Sequence, residues 1–317
     1  MNGKTSHITI GSCAKQDKNT DMERELKKMD TCRIVFIVGP AHSGTTIIYR
    51  MLAQHPDVAW FSQYSMHGGQ IPGRVRLPFY GVVNRLGKRF FSVSWKKTYD
   101  RKKRHSNRPG LIPTPTEPHQ IWDYLLPVQD AFFQFFTESD IHAEMVSHMR
   151  SICFEEAHAW RKSYLLVKLP RLSQAARLLA HVFPEALFIR ITRDGKAVAL
   201  STAHKFSRHG ESKHEALYQS ACHWRAVEEY ITSAQHAYAD RFITLSYESL
   251  CADVRGSILK MSDFAGLSRN AFVQKLPEQL TLTNERWFRN LSTDEKVLLN
   301  DILQPLLEKQ GYALFAV

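Results

Sequence analysis

The sequence predicts an α/β fold, a doubly wound parallel sheet flanked by helices with one large, mostly helical insertion. Apolar runs of strand length alternate with helical patterns at 34–38, 46–54, 164–168, 172–182, 186–192, 195–206, 214–238, 242–246, 253–266 and 293–310. Alternation at that spacing builds a parallel sheet, because each strand needs a crossover helix to return the chain to the same edge. The first run, Ile34 to Val38, is apolar and mostly β-branched, the pattern of a strand buried on both faces. About a hundred residues then separate the first clear strand from the second, far more than a crossover requires. The span from about 64 to 162 therefore reads as an insertion, placed where it would shape an acceptor site over the ligand edge.

The first strand runs into Gly39-Pro-Ala-His-Ser-Gly-Thr-Thr46. Gly39 and Gly44 have the spacing of a nucleotide P-loop, G-x-x-x-x-G-K-[ST], but Thr45 stands at the lysine position. Ile47, Ile48, Met51 and Leu52 share one face of the helix that follows. Such a turn aims backbone N–H groups and the positive helix end at one point, suited to an anion, and Ser43, Thr45 and Thr46 add hydroxyls. The fold is thus P-loop-like, while the missing ammonium argues against ATP or GTP hydrolysis.

His42-Ser43-Gly44-Thr45-Thr46, with Leu52 and His55-Pro56 after it, resembles the 5′-phosphosulfate loop of sulfotransferases that use 3′-phosphoadenosine 5′-phosphosulfate (PAPS). That loop commonly reads [K/R]-[S/G]-G-T-T, so His42 replaces a lysine or arginine. A second segment, Phe183 to Ser201, resembles the family's 3′-phosphate element: a strand ending in Arg193-Asp194, then a helical serine eight residues on, Ser201. By that resemblance Arg193 offers a planar fork and Ser201 a hydroxyl to a 3′-phosphate, while Asp194 fits a helix cap. Leu165 to Arg171 is similar to the family's strand ending in K-x-P, which places Lys168 at a carboxyl strand end. Arg171 reads equally as a surface ion pair.

Phe242 to Leu250 is similar to the family's strand and Y-E-x-L corner, and Arg286-Trp287-Phe288-Arg289 loosely to a late segment that closes over the nucleotide. The glycines of cytosolic members are missing from it, so the motifs are of the bacterial or Golgi type. Tyr247 and Trp287 serve either core packing or adenine contact. The resemblance implies the donor set His42, Ser43, Gly44, Thr45, Thr46, Arg193, Ser201, Tyr247, Arg286 and Trp287, with PAPS as co-substrate and no metal.

For the chemistry, the resemblance implies in-line attack of an acceptor hydroxyl on sulfur while positioned cations stabilise the leaving oxygen. Lys168 supplies a fixed charge; His42 acts as imidazolium or as a neutral donor. If His42 stands in for the basic loop residue, the rate should fall as pH rises through its pKa. Some members carry a glutamate shortly after the H-P; here Gln63 lies near that place. The next candidates for the base are Glu117 and His119, two apart beside prolines, although both also suit a helix start.

Residues 71–110 hold twelve Lys and Arg against the single acid Asp100, a surplus equal to the whole chain's formal net charge of +11. Interleaved aromatics such as Phe90, Phe91 and Trp95 suit a polyanionic acceptor or a membrane-surface glycan or lipid, so a carbohydrate or glycolipid hydroxyl is favoured. A solvated face that draws in the donor is the plainer reading, and no nucleic-acid motif accompanies the bases.

At 317 residues and 44% hydrophobic content the chain suits one enzyme-sized domain over 32–317. Residues 1–31 read as a mobile polar leader. The five cysteines form no C-x-x-C, and no apolar run approaches the roughly 18 residues of a membrane span, so a cytoplasmic location is expected, peripheral at a membrane if the basic segment docks there. A P-loop kinase or NTPase and a non-catalytic nucleotide- or polyanion-binding module are the alternatives.

Overall fold

The computed structural model describes residues 32–67, 82, 113–126, 133–206, 212–268 and 271–317. The 1–31 segment, and all of the basic segment 71–110 except Val82, lie outside the described residues.

β1 (Arg33–Val38) is followed by α1 (Thr45–Leu52), a short β2 (Val58–Trp60), α2 (Gln63–His67), α3 (His119–Leu125) and α4 (Ala143–Trp160). β3 (Tyr164–Lys168) leads through a 3-10 turn (Pro170–Ala175) to α5 (Ala176–Val182), β4 (Leu187–Thr192), α6 (Gly195–Phe206) and α7 (Lys213–Ala237). β5 (Phe242–Ser246), α8 (Tyr247–Ala252), α9 (Val254–Ala265), α10 (Glu285–Phe288) and α11 (Thr293–Lys309) complete the chain. The five strands form one sheet in the order β2-β3-β1-β4-β5, every pair parallel. The sheet is flanked by helices, as the alternation predicts.

β2 is the departure from the sequence reading. Three residues are too few to show a strand pattern, yet Val58, Ala59 and Trp60 pair with Tyr164, Leu165 and Leu166 and make β2 the edge strand. Trp60 Nε1 donates to the Ala53 carbonyl at 3.0 Å, which ties this edge to the end of α1.

The core is apolar because both sheet faces are covered. Phe36 stacks on Phe188 with centroids 5.4 Å apart, and Phe188 on Phe242 at 4.6 Å, one aromatic from each of three adjacent strands. A second cluster joins α6, α7 and α11 through Ala199, Trp224, Leu299, Leu303 and Leu307.

Strand order determines where chemistry can occur. From β1 the chain moves to β2 and β3 on one side and later crosses to β4 and β5 on the other, so β1 lies at a switch point where the connections diverge. Ile37 pairs with Lys168, and Thr192 with Ser246. The residues that leave β1, β3, β4 and β5 therefore emerge at one edge.

Candidate active site

The loop after β1 is held at its base by Ser173. Its hydroxyl donates to the Gly39 carbonyl and accepts from the Gly39 N–H, both at 2.9 Å. At the far end Gly44 precedes α1 with φ 92°, and a Cβ there would strike the Tyr247 ring, so two constraints select glycine. His42 also adopts a positive φ, 68°, a conformation uncommon outside glycine and open to histidine only at some cost in strain. In the first turn of α1 the Ile47 and Ile48 N–H groups bond to the Gly44 carbonyl at 3.1 and 3.4 Å, which leaves those of Thr45 and Thr46 to face a ligand. Ser43 is fully buried, and its Oγ finds no hydrogen-bond partner among the described residues. A buried, unsatisfied hydroxyl in such a loop fits an anionic ligand.

Arg193 leaves β4 into the same loop. Nη1 donates to the His42 carbonyl at 2.8 Å, Nε to Asn284 Oδ1 at 2.9 Å and Nη2 to Thr283 Oγ1 at 3.3 Å. Its guanidinium carbon lies 4.4 Å from the Tyr247 ring centre. Burial pulls its pKa down, while neighbouring Tyr247 and Glu248 oppose the shift; a guanidinium remains charged regardless. Three of its five N–H donors are thus engaged and two remain for a ligand. Asn284 is held in turn by Glu248 at 2.7 Å. Asp194 caps α6, its Oδ1 accepting from the Lys196 N–H at 3.0 Å. Ser201, two turns into α6, places Oγ 3.2 Å from His42 Nδ1.

On the other flank of the loop Lys168, fully buried at the end of β3, donates to Thr46 Oγ1 at 2.8 Å and pairs with Glu117 Oε1. Thr46 in turn donates to the same carboxylate oxygen at 3.2 Å. Glu117 Oε2 lies 3.4 Å from His119 Nε2. Burial pushes the Glu117 carboxyl up, but the His119 and Lys168 contacts outweigh it and hold it down at about 2. For Lys168 burial acts in the lowering direction and the Glu117 carboxylate resists it. The close ion pair keeps both groups charged.

The segment that carries Glu117 is fixed by α1, α2 and the residue that follows β2. Thr116 N–H donates to the Phe61 carbonyl at 2.9 Å, Tyr49 Oη to the Thr116 carbonyl at 3.3 Å, and Thr114 N–H to Gln63 Oε1 at 3.0 Å. Gln63, standing near the glutamate position of some family members, thus braces the Glu117 segment.

His42 reaches solvent, yet desolvation, with the charges of Lys205, Arg193 and Lys168, places its pKa below the usual 6.5. That direction favours the neutral imidazole over the imidazolium.

Next to the loop opens a cleft of about 310 Å³, lined by Pro40, Ala41, His42, Glu117, His119, Pro170, Arg171, Gln174, Thr202, Lys205, His223 and Val227. Its residues come from five separate stretches of sequence. Arg171 is engaged in this wall, donating to Asp123 Oδ1 at 2.6 Å and to the Leu126 carbonyl.

Most of the residues singled out in the sequence converge on the loop. Arg286 and Trp287 lie further out: Arg286 is exposed and stacks at 4.7 Å on the Trp287 ring, which stands 5.8 Å from His204 of α6. The sequence reading passed over Thr283, Asn284, Ser173, Lys205 and His223. Thr283 and Asn284 lie beside the late Arg286-Trp287 segment, Ser173 two residues past Arg171 and Lys205 one turn past Ser201, whereas His223 had no signal nearby.

Comparison with known proteins agrees with this architecture. A model of the sulfotransferase family matches residues 35–271. Among solved structures, sulfotransferase STF9 from Mycobacterium avium is similar at 15% identity and a TM-score of 0.62, covering 93% of this chain and 82% of that one. Sulfotransferase STF1 from Mycobacterium tuberculosis H37Rv is similar at 16% identity and a TM-score of 0.50, covering 86% and 81%. At these identities the likeness is one of fold. No curated protein matches the chain.

Proposed function

The chain belongs to the sulfotransferase family, and from that premise we propose that it moves a sulfuryl group from PAPS to an acceptor hydroxyl, a carbohydrate or glycolipid hydroxyl being favoured. The observation that carries the donor assignment is the linkage of Arg193 and Ser201 to opposite ends of His42, its carbonyl and its imidazole. This linkage joins the segment matching the family's 3′-phosphate element to the segment matching its 5′ loop.

In this reading the two free N–H donors of Arg193 and the Ser201 hydroxyl hold the 3′-phosphate, and Tyr247 supports Arg193 from beneath. Arg286 and Trp287 flank the adenosine. Loop N–H groups and the Ser43, Thr45 and Thr46 hydroxyls receive the 5′-phosphosulfate, with Gly44 keeping the turn open to it.

The acceptor oxygen bonds to sulfur as the bridging bond between sulfur and the 5′-phosphate oxygen breaks. The electron pair leaves on that oxygen, and adenosine 3′,5′-bisphosphate departs. Lys168 stabilises the charge developing there. His42, in the tautomer whose Nδ1–H donates to Ser201 Oγ, leaves the Ser201 hydroxyl proton for the 3′-phosphate. The acceptor's proton passes to His119, whose Nε2 faces Glu117 and whose Nδ1 remains to accept it. Glu117, held near pKa 2, is too weak a base for that task and instead orients His119 while neutralising Lys168.

A thermal-shift titration without metal tests the reading. Adenosine 3′,5′-bisphosphate should stabilise the protein far more than AMP or ATP. Equal shifts with AMP, or an absolute need for Mg²⁺, would overturn it and favour a kinase.

A further inference from the structure

The charges of the cleft indicate what else the acceptor carries. Glu117 spends one oxygen on Lys168 and Thr46 and faces His119 with the other. Arg171 is committed to Asp123 and the Leu126 carbonyl. Lys205, by contrast, lines the cleft with no ion pair among the described residues. Such a cation, with no carboxylate paired to it among the described residues, attracts an anion from the ligand.

Resting on the sulfuryl-transfer reading, we propose that the acceptor bears, besides the hydroxyl it offers, an anionic group (carboxylate, sulfate or phosphate ester) that pairs with Lys205. Position on α6 separates this role from donor binding. Ser201 and Lys205 are four residues apart and share a helix face. Ser201 reaches His42 from one side, and Lys205 stands one turn further along, on the wall formed with Thr202 and Val227. The donor's charges have their own partners in the loop, Arg193 and Lys168. The volume of about 310 Å³ is at the small end of ligand pockets and suits one sugar or aromatic ring together with its charged substituent.

The test is sulfate transfer from labelled PAPS to matched acceptor pairs that differ only in the charged group. One such pair is 4-nitrophenyl β-D-glucuronide and the corresponding glucoside; the others are sulfated or phosphorylated sugars and phenols beside their neutral parents. At least one anionic member should be preferred over its parent by tenfold or more in kcat/KM. Lys205→Ala should abolish that preference by raising the anionic acceptor's KM, and Lys205→Glu should reverse it. The thermal shift with adenosine 3′,5′-bisphosphate should be largely retained in Lys205→Ala, because Lys205 reaches the donor loop only through its charge on His42. Equal use of charged and neutral partners would overturn the proposal, as would no turnover of any anionic acceptor. A Lys205→Ala effect confined to the donor's KM or to the bisphosphate shift would assign the lysine to the donor. Failure of the wild-type protein to bind the bisphosphate is a separate result, which removes the sulfuryl-transfer reading itself.

Discussion

Arg193 donates to the His42 carbonyl at 2.8 Å, so the first residue after β4 fixes the conformation of the loop after β1. The bond spans two strand ends that are adjacent in the sheet although more than a hundred residues apart in sequence. Arg193 consequently has two tasks, holding the loop and holding a phosphate, and its variants should separate them.

Arg193→Ala should cost about 2 kcal/mol or more of affinity for adenosine 3′,5′-bisphosphate, since charge-assisted bonds in a desolvated site are lost. Arg193→Lys should recover little, because an ammonium cannot bridge Asn284, Thr283, the His42 carbonyl and a ligand together. Calorimetric titration of the three proteins checks this; a lysine variant with wild-type affinity would leave the fork geometry without a role.

Glu117 gives a prediction about stability. Its pKa of about 2 lies below the ordinary 4.5, so its contribution is fully present above pH 4.5 and fades as pH falls towards 2. Glu117→Gln strands the buried Lys168 charge and should destabilise the protein by about 2 kcal/mol at pH 7. The gap to wild type should narrow between pH 5 and pH 3. Urea denaturation at both ends of that window measures it, and a gap independent of pH would assign the loss to packing.

His42 has the opposite charge type and the same direction of shift. Its pKa is lowered by burial and three cations, so protonation is disfavoured in the fold, and the associated stability is present above 6.5 and lost as pH falls. Any activity change caused by His42 titration should therefore appear below pH 6.5 and leave pH 7 to 9 flat. His42→Lys should keep or raise turnover at pH 8, whereas His42→Ala should lower turnover with little change in donor affinity. A wild-type rate in the alanine variant across pH 6 to 9 would leave stabilisation of the leaving oxygen to Lys168 alone.

These groups differ in how legible they were. The loop, Lys168 and Arg193 could be read because each follows a strand, where the chain's local pattern fixes both its conformation and the edge it reaches. Glu117 and His119 were visible only as candidates: two titratable residues beside prolines do not say which one contacts Lys168. Asn284, 91 residues from Arg193, and Lys205, on a helix otherwise read for Ser201, gain meaning only from contacts that bring distant segments together. β2 was missed for a different reason, since three residues at a sheet edge acquire strand character from pairing with β3 and not from their own periodicity.

The turn at Gly44 separates backbone strain from steric conflict. Gly44 and Gly311 both adopt left-handed φ, 92° and 79°. A Cβ at Gly311 meets nothing within 4 Å, whereas one at Gly44 enters the Tyr247 ring. Gly311→Ala should therefore cost only the left-handed penalty, about 1 kcal/mol. Gly44→Ala bears the same penalty and must also push Tyr247 from beneath Arg193, so a loss of about 3 kcal/mol is expected. The additional loss should couple to the ligand site: Gly44→Ala should weaken bisphosphate binding, and Tyr247→Ala in the same chain should relieve much of the stability cost by making room for the methyl group. Equal destabilisation by the two alanines, with bisphosphate affinity intact, would show that the Tyr247 ring moves aside freely and that Gly44 is required for its φ alone.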